Sequence, residues 1–345
     1  MPPAVVIQEH FKEHCSQYTH PERPERIDAV RAGLARGGIT DEMIIANCSA
    51  AITSLERIHD PAYIRKTLDE IDGKWGNLDG DTFFSPGTRA AALDAAGGTT
   101  ALARMVQRGE ADWGFAAVRP PGHHATARRA CGFCIFNNIA LAAADLLAET
   151  DAKRVAIFDW DVHHGNGTQD IFYDRPDVLY VSIHQWPHFP GSGLVGETGR
   201  GSGTGTTINL PFPAGATDAD YRAAMTDVVI PAMERFRPDH ILVSAGYDAH
   251  REDFLGGMLL SSRMFGEMAA RLKQLADGIC KGRMTLALEG GYHLEALADS
   301  VCETIRGLFD PRIPECPPYP PGAGVRRILD AVRREISLPG NGFPE

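Results

Sequence analysis

Asp159, Asp161 and His163 stand at alternate positions of Asp159-Trp160-Asp161-Val162-His163-His164-Gly165, directly after the apolar run Val155–Phe158. In an extended chain, residues two apart point the same way. The three polar groups therefore share a face, and Trp160 and Val162 take the other. A carboxylate and an imidazole at that spacing can chelate one divalent ion. A second apolar run, Ile241–Val243, is followed by Ser244-Ala245-Gly246-Tyr247-Asp248, which can deliver a third ligand. Three protein ligands and an open position make a catalytic zinc site. A third run, Thr285–Leu288, leads into Glu289-Gly290-Gly291-Tyr292, where two glycines permit a tight turn that presents a tyrosine hydroxyl. A fourth, Phe115–Val118, leads into Arg119-Pro120-Pro121-Gly122-His123-His124, where two adjacent histidines can divide base and acid roles near neutral pH. Taken singly, each string is more often a capped turn or a polar loop. All four fall at apparent strand ends, where one pocket would gather them, and that coincidence points to a site.

The elements that must position these groups follow from the pattern. Short Val-, Ile- and Leu-rich runs at Ala4–Ile7, Gly114–Val118, Val155–Phe158, Val178–Ile183, Ile241–Val243 and Thr285–Leu288 read as buried parallel strands. Helical patterns lie around Ile27, Val30 and Leu34 after Pro24, and over Ala140–Leu147, Tyr221–Phe236 and Ser262–Ile279. Strands alternating with helices predict an α/β fold, a three-layer α/β/α arrangement with a mostly parallel central sheet. In such sheets ligands sit beyond the carboxyl ends of the strands. Gly191–Gly205 and the Pro-rich Pro311–Pro321 read as loops, and Val325–Ile336 as a terminal amphipathic helix. No composition break divides the chain, so residues 1–345 are expected to form a single domain, with the core motifs at about 5–308 and a Pro-rich loop and helix over 309–345.

Composition narrows the function classes. The chain has 345 residues, 43% hydrophobic and 23% charged, with a net charge of -11. An acidic surface argues against nucleic acid, whose phosphates it would repel. No apolar run is long enough to suggest a membrane span. Seven cysteines, an odd number, and no signal-peptide pattern fit a reducing compartment, so a cytoplasmic location is expected. Cys131 and Cys134 have CxxC spacing without a second pair to complete a structural zinc site. Gly191-Ser192-Gly193-Leu194-Val195-Gly196 is formally GxGxxG, but it does not sit between a strand and a helix and reads as loop.

The sequence resembles the histone deacetylase family, in particular its class II enzymes and their bacterial deacetylase and acetylpolyamine amidohydrolase relatives. The matching strings are HPERPERI (20–27), RPPGHHA (119–125), GFCIFNN (132–138), DWDVHHGNGTQ (159–169), SAGYDAH (244–250) and LEGGYHLEAL (288–297). The resemblance implies one Zn²⁺ per chain on Asp161, His163 and Asp248. It implies that His123, paired with Asp159, deprotonates the attacking water. His124, oriented by Asn166, would protonate the leaving amine, and Tyr292 would stabilise the oxyanion. Phe133 and Phe189 would line an acyl-lysine channel, and the Gly132 carbonyl would accept the substrate amide N–H. A structural K⁺ would lie on Asp159, Asp161, His163, Ser182 and Ile183, mostly through backbone carbonyls.

The implied substrate is an acetylated lysine peptide or an acetylated small amine, with release of acetate. Leu255 stands where polyamine-cleaving relatives tend to carry an acidic gatekeeper, which favours acetyl-lysine. Thr82 would help hold the substrate backbone. His164, His184 and His188 are expected to be structural or to lie behind the site, and His14, His20 and His59 receive no role. An oligomer stays open. The arginase-like alternative needs carboxylates for a second metal where this chain has Gly165 and His250. A non-catalytic acyl-lysine-binding module would be expected to lack a ligand or the tyrosine, and every position here is filled.

Overall fold

Residues 1–313 and 320–337 are described by the computed structural model; part of the Pro-rich stretch, Cys316 and the last eight residues lie outside them. The strands are β1 (Ala4–Val6), β2 (Gly76–Asn77), β3 (Phe83–Phe84), β4 (Gly114–Ala116), β5 (Val155–Asp159), β6 (Val178–Gln185), β7 (Thr207–Phe212), β8 (His240–Ala245) and β9 (Met284–Leu288). Seven form one parallel sheet in the order β1-β4-β9-β8-β5-β6-β7, while β2 and β3 make a small antiparallel ladder. The central strands are buried along their whole length, as sheets covered by helices on both faces must be. All six expected strands are present. The seventh, β7, follows the glycine-rich loop and contains Pro211, which breaks the usual strand signature. It is an edge strand, where a residue without an N–H is tolerated.

The helices are α1 (Glu25–Gly37), α2 (Ile52–Leu55), α3 (Pro61–Ile71), α4 (Thr88–Gln107), α5 (Asn138–Glu149), α6 (Asn166–Phe172), α7 (Asp218–Ala224), α8 (Ile230–Phe236), α9 (Ser262–Ile279), α10 (Leu294–Phe309) and α11 (Ala323–Ser337). Helices α4 and α5 pack together over the sheet, and α1, α10 and α9 form the opposite layer. Local chemistry sets several starts. The Asn137 side chain accepts the Ala140 N–H at the head of α5 (3.0 Å), and Asp60 does the same for Ala62 (2.8 Å) ahead of Pro61 in α3. The expected helix over Tyr221–Phe236 is interrupted by a π-helical turn at Met225–Val229. Pro231 has no N–H to give the Asp227 carbonyl four residues back. Arg333 of α11 approaches that carbonyl (3.4 Å) and pairs with the Asp227 carboxylate (2.9 Å). The terminal helix thus covers the break between α7 and α8. Among the described residues, no helix is long and apolar enough to cross a membrane.

Strand register decides which polar residues meet. Asp159 at the end of β5 pairs with Ser244 of β8 on one side and Ser182 of β6 on the other, and Ala245 pairs with Leu288 of β9. The carboxyl ends of β5, β8, β9 and β4 are therefore consecutive neighbours.

Far from these ends, His240 of β8 is wholly buried between Gln107 (3.1 Å) and Thr285 (3.0 Å), and burial pushes its pKa down to about 3. Burial likewise pushes His59 down to about 4. The unfolded chain takes up these protons first as pH falls below 6.5. The stability is therefore present above that value and lost towards the folded pKa. Each histidine contributes up to about 1.4 kcal/mol per pH unit to the slope. Urea unfolding at pH 5, 6 and 7 should show declining stability on acidification, with a shallower decline in His240→Gln; an unchanged slope in that variant would refute the assignment.

Candidate active site

Asp161, His163 and Asp248 come together at the ends of β5 and β8, with one potential ligand atom from each lying within 4.8 Å of the others. They form the only such group of His, Cys, Asp and Glu among the described residues. Asp161 Oδ1 accepts the His163 N–H (2.9 Å), and its Oδ2 accepts the Gly290 N–H (2.8 Å). Asp248 Oδ1 accepts the Val162 N–H (2.9 Å). Its Oδ2 lies 3.2 Å from His163 Nδ1 yet takes no hydrogen bond, although it is buried. A buried anionic oxygen without a donor calls for a cation.

The charges lead to the same conclusion. Burial and the neighbouring Asp161 push Asp248 up to about 7. Burial alone would also raise Asp161, but His123 and His163 hold it below the usual carboxylate range. His163, which burial would lower, is pushed up to about 10 by the two carboxylates. The site demands positive charge at its centre, and a divalent ion on these three side chains would meet that demand. Two glycines make the room: a Cβ at Gly246 would lie 2.0 Å from Asp161 Oδ2, and one at Gly290 would lie 2.1 Å from Asp248 Oδ2.

His123 and His124 stand beside the triad with ring centroids 4.0 Å apart. His123 Nδ1 is 3.0 Å from Asp159 Oδ2, and its Nε2 is 3.9 Å from Asp161 Oδ1. Burial would lower this imidazole, but the charges of Asp159, Asp161 and Glu289 outweigh it and push it up to about 10. His124 Nδ1 is 2.8 Å from Asn166 Oδ1, and burial and the other histidines push its pKa well down. Tyr292 is almost fully buried under Arg26, whose guanidinium lies 4.9 Å from the ring centre. Burial pushes its hydroxyl well above the ordinary value, so it remains a donor at neutral pH.

The expected channel residues surround this centre. Gly132 and Phe133 both have positive φ (55° and 68°) in a tight turn closed by reciprocal hydrogen bonds between Cys131 and Cys134 (3.1 and 2.9 Å). Holding Phe133 in that conformation costs about 1–2 kcal/mol. The Phe133 ring meets Tyr292 edge-on (5.9 Å), and Phe189 meets His124 (5.0 Å). The CxxC pair consists of free cysteines whose backbones shape the turn. Thr82 is fully buried, and its hydroxyl accepts the Phe133 N–H (3.1 Å). It therefore supports Phe133 instead of reaching out to a substrate backbone. Leu255 is half-buried, and its carbonyl lies 2.8 Å from His188 Nε2. His188 in turn stacks on His163 (4.9 Å). Ser182 and Ile183 lie on β6 beside β5; the Ser182 hydroxyl contacts His184 Nδ1 (2.9 Å), and the Ile183 side chain is buried. The GxGxxG string is loop, as expected.

Gly165 and His250 offer no second metal position. A Cβ at Gly165 would lie 2.2 Å from Asp159 Oδ2, and His250 Nε2 contacts Ser262 (3.1 Å).

The match to known proteins follows this geometry. The model of the histone deacetylase domain covers residues 20–308. The chain belongs to the histone deacetylase family. It is 37% identical to "Histone deacetylase 14, chloroplastic" of Arabidopsis thaliana, over 93% of this chain and 81% of that one. It is 38% identical to "Probable deacetylase" of Archaeoglobus fulgidus, over 84% and 81%. To human "Polyamine deacetylase HDAC10" it is 39% identical, over 90% of this chain and 48% of that one. The crystal structure of the HDA15 HD domain superposes with a TM-score of 0.90 at 34% identity, over 98% and 95%.

Several supports of this histone deacetylase fold lie outside the matching strings, although His20 opens one of them. The Tyr180 hydroxyl donates to Asp159 Oδ2 (3.1 Å). Asp253 accepts the Tyr292 and His293 N–H groups (2.6 and 3.0 Å). His59 accepts the Asn137 N–H (3.0 Å) and lies 2.9 Å from the Thr126 carbonyl, bracing the loop that carries Gly132 and Phe133. His20 packs edge-on against Phe133 (4.7 Å). Partners for each are set by distant chain segments, so only the alternation of Tyr180 with Ser182 along a strand offered a signal. Replacing Gly290 by Ala should place a methyl group against both carboxylates and abolish stoichiometric metal binding, read by elemental analysis. Full metal content in that variant would contradict the assigned cradle.

Proposed function

We propose that the protein is a zinc-dependent deacetylase that hydrolyses the amide of N-acetylated amines, foremost acetyl-lysine side chains, and releases acetate. The observation that carries this reading is Asp248 Oδ2, buried without a hydrogen bond and facing His163 and Asp161, with two histidines and a tyrosine around it. Donors of this kind, two carboxylates and one imidazole with an open side, suit Zn²⁺. When bound, the ion supplies a Lewis acid for the acyl oxygen and for the attacking water. Phe133 and Phe189 flank the acyl chain, and the Gly132 carbonyl accepts the amide N–H. The Tyr292 hydroxyl donates to the oxygen on which negative charge develops. Asp159 and Ser182 are register partners, and this supports a K⁺ held behind the site by Asp159, Asp161, His163, Ser182 and Ile183. Leu255 favours acetyl-lysine over a free polyamine.

The histidines carry the proton. In the first assignment, His123 Nε2 removes it from water while Asp159 holds Nδ1, and His124 delivers a proton to the leaving amine. The partner atoms favour a second assignment. The Asp159 carboxylate stabilises a cation at His123. The Asn166 amide oxygen fixes Nδ1–H on a neutral His124, leaving its Nε2 as the base. The two assignments separate on an activated acetanilide, whose leaving group needs no acid. The variant that lacks the general acid regains turnover there, and the variant that lacks the base does not.

Zinc-loaded protein should release acetate from an acetyl-lysine peptide faster than from acetylputrescine or acetylspermidine, and a strong chelator should stop it. Faster cleavage of the polyamines would reverse the substrate assignment, and cleavage of none would favour a binding module. Tyr292→Phe should keep its zinc and lose about 10²–10³ in kcat.

A further inference from the structure

We propose that Glu289 is a positioning residue for this hydrolysis: its side chain holds the main chain of the His123 loop in register with the metal ligands. The proposal rests on the deacetylase reading above. Glu289 directly follows β9 and is fully buried. Its Oε2 accepts the N–H groups of Gly122 (2.7 Å) and His123 (3.1 Å), and its Oε1 accepts the Ser244 hydroxyl (3.1 Å). Its own main chain is fixed on both sides. The Glu289 N–H donates to the Ala245 carbonyl of β8 (3.1 Å), and the Glu289 carbonyl accepts from Arg26. The next N–H, of Gly290, donates to Asp161 Oδ2 (2.8 Å). A short relay of hydrogen bonds thus ties the backbone of His123 to a metal ligand through Glu289 and Gly290.

The carbonyls of the loop are held from elsewhere, Pro120 by Asn138 Nδ2 (3.1 Å) and His123 by the Thr168 N–H (3.1 Å), whereas its N–H groups fall to Glu289. Pro120 and Pro121 have no N–H, so Gly122 and His123 are the first residues after Arg119 that can be held in this way. Among the described ion pairs, none joins the Glu289 carboxylate to a lysine or arginine. A buried carboxylate without a lysine or arginine beside it is costly unless its hydrogen bonds are filled, and here two N–H groups of the histidine loop and the Ser244 hydroxyl fill them. Losing that grip would let the imidazole drift, and a misplacement of 1 Å costs on the order of 10² in rate.

The test compares Glu289→Asp and Glu289→Gln in the full chain, zinc-loaded. Asp keeps the charge but is one methylene too short to reach both N–H groups. Gln keeps the reach, turning its oxygen to the two N–H groups and its amide to the Ser244 hydroxyl. For Glu289→Asp we expect kcat to fall about 10²-fold with KM within about threefold. Zinc content should be unchanged. Hydrogen exchange of a peptide spanning Gly122 and His123 should accelerate. For Glu289→Gln we expect kcat to return to within about tenfold of the parent, with exchange protection restored. The opposite order, with Asp active and Gln inactive, would overturn positioning in favour of a charge effect. Parent-like kcat in both variants, or loss of zinc in Glu289→Asp, would also overturn it. Failure of the parent to release acetate would instead sink the deacetylase reading, and the exchange comparison would still decide whether Glu289 holds the loop.

Discussion

Two carboxylates, Asp161 and Asp248, are buried side by side at the ends of adjacent strands, and much of the molecule around them answers to that fact. Like charges in a low-dielectric interior repel strongly unless hydrogen bonds and a cation offset them. The backbone provides the first part, through the N–H groups of His163, Gly290 and Val162. One oxygen of Asp248 is left for the second. Glycines at 246 and 290 are there because any side chain would fill the space that the carboxylates occupy. The parallel register of β5, β8 and β9 makes this approach inevitable once the sheet has formed.

Around this centre lies a second buried ionic group that never touches it. Glu22 binds Arg119 through both oxygens and also accepts from Arg26 (3.0 Å). The arginines spend their remaining donors on carbonyls: Arg119 on Phe11 (2.8 Å) and His14 (3.0 Å), Arg26 on Gly291 (2.7 Å) and Glu289. One carboxylate thereby links the start of the histidine loop to the turn that presents Tyr292. The delocalised guanidinium suits this task because its planar fork satisfies several acceptors at once. The string HPERPERI therefore acts at a distance: Glu22 and Arg26 brace the His123 loop and the Tyr292 turn.

Much of this was legible because the chemistry is concentrated in short strings. Asp161 and His163 share a face by the alternation of extended chain, and Asp248 and Tyr292 follow apolar runs that end in glycine. The six runs rich in β-branched residues and leucine were enough to locate the parallel sheet. Other parts left weaker marks. Helix α4 is rich in alanine, glycine and threonine and shows little amphipathic contrast, although its burial is extensive. Strand β7 carries a proline and follows a long glycine-rich loop, so local pattern argued against it. Thr82 sits beside a loop that reads as substrate-facing, yet it is turned inward to hold Phe133.

Sequence alone picked out the candidate ligands Asp161, His163 and Asp248, the two histidines, the tyrosine and the parallel α/β frame, because each shows in short strings or in a two-residue period. The tertiary structure decided everything that depends on which distant segments become neighbours. It joined Tyr180 to Asp159, Glu289 to the loop of His123, and Arg26 to the turn of Tyr292. It also left one oxygen of Asp248 without a donor. Those pairings arise from strand order and register, which no local spacing encodes.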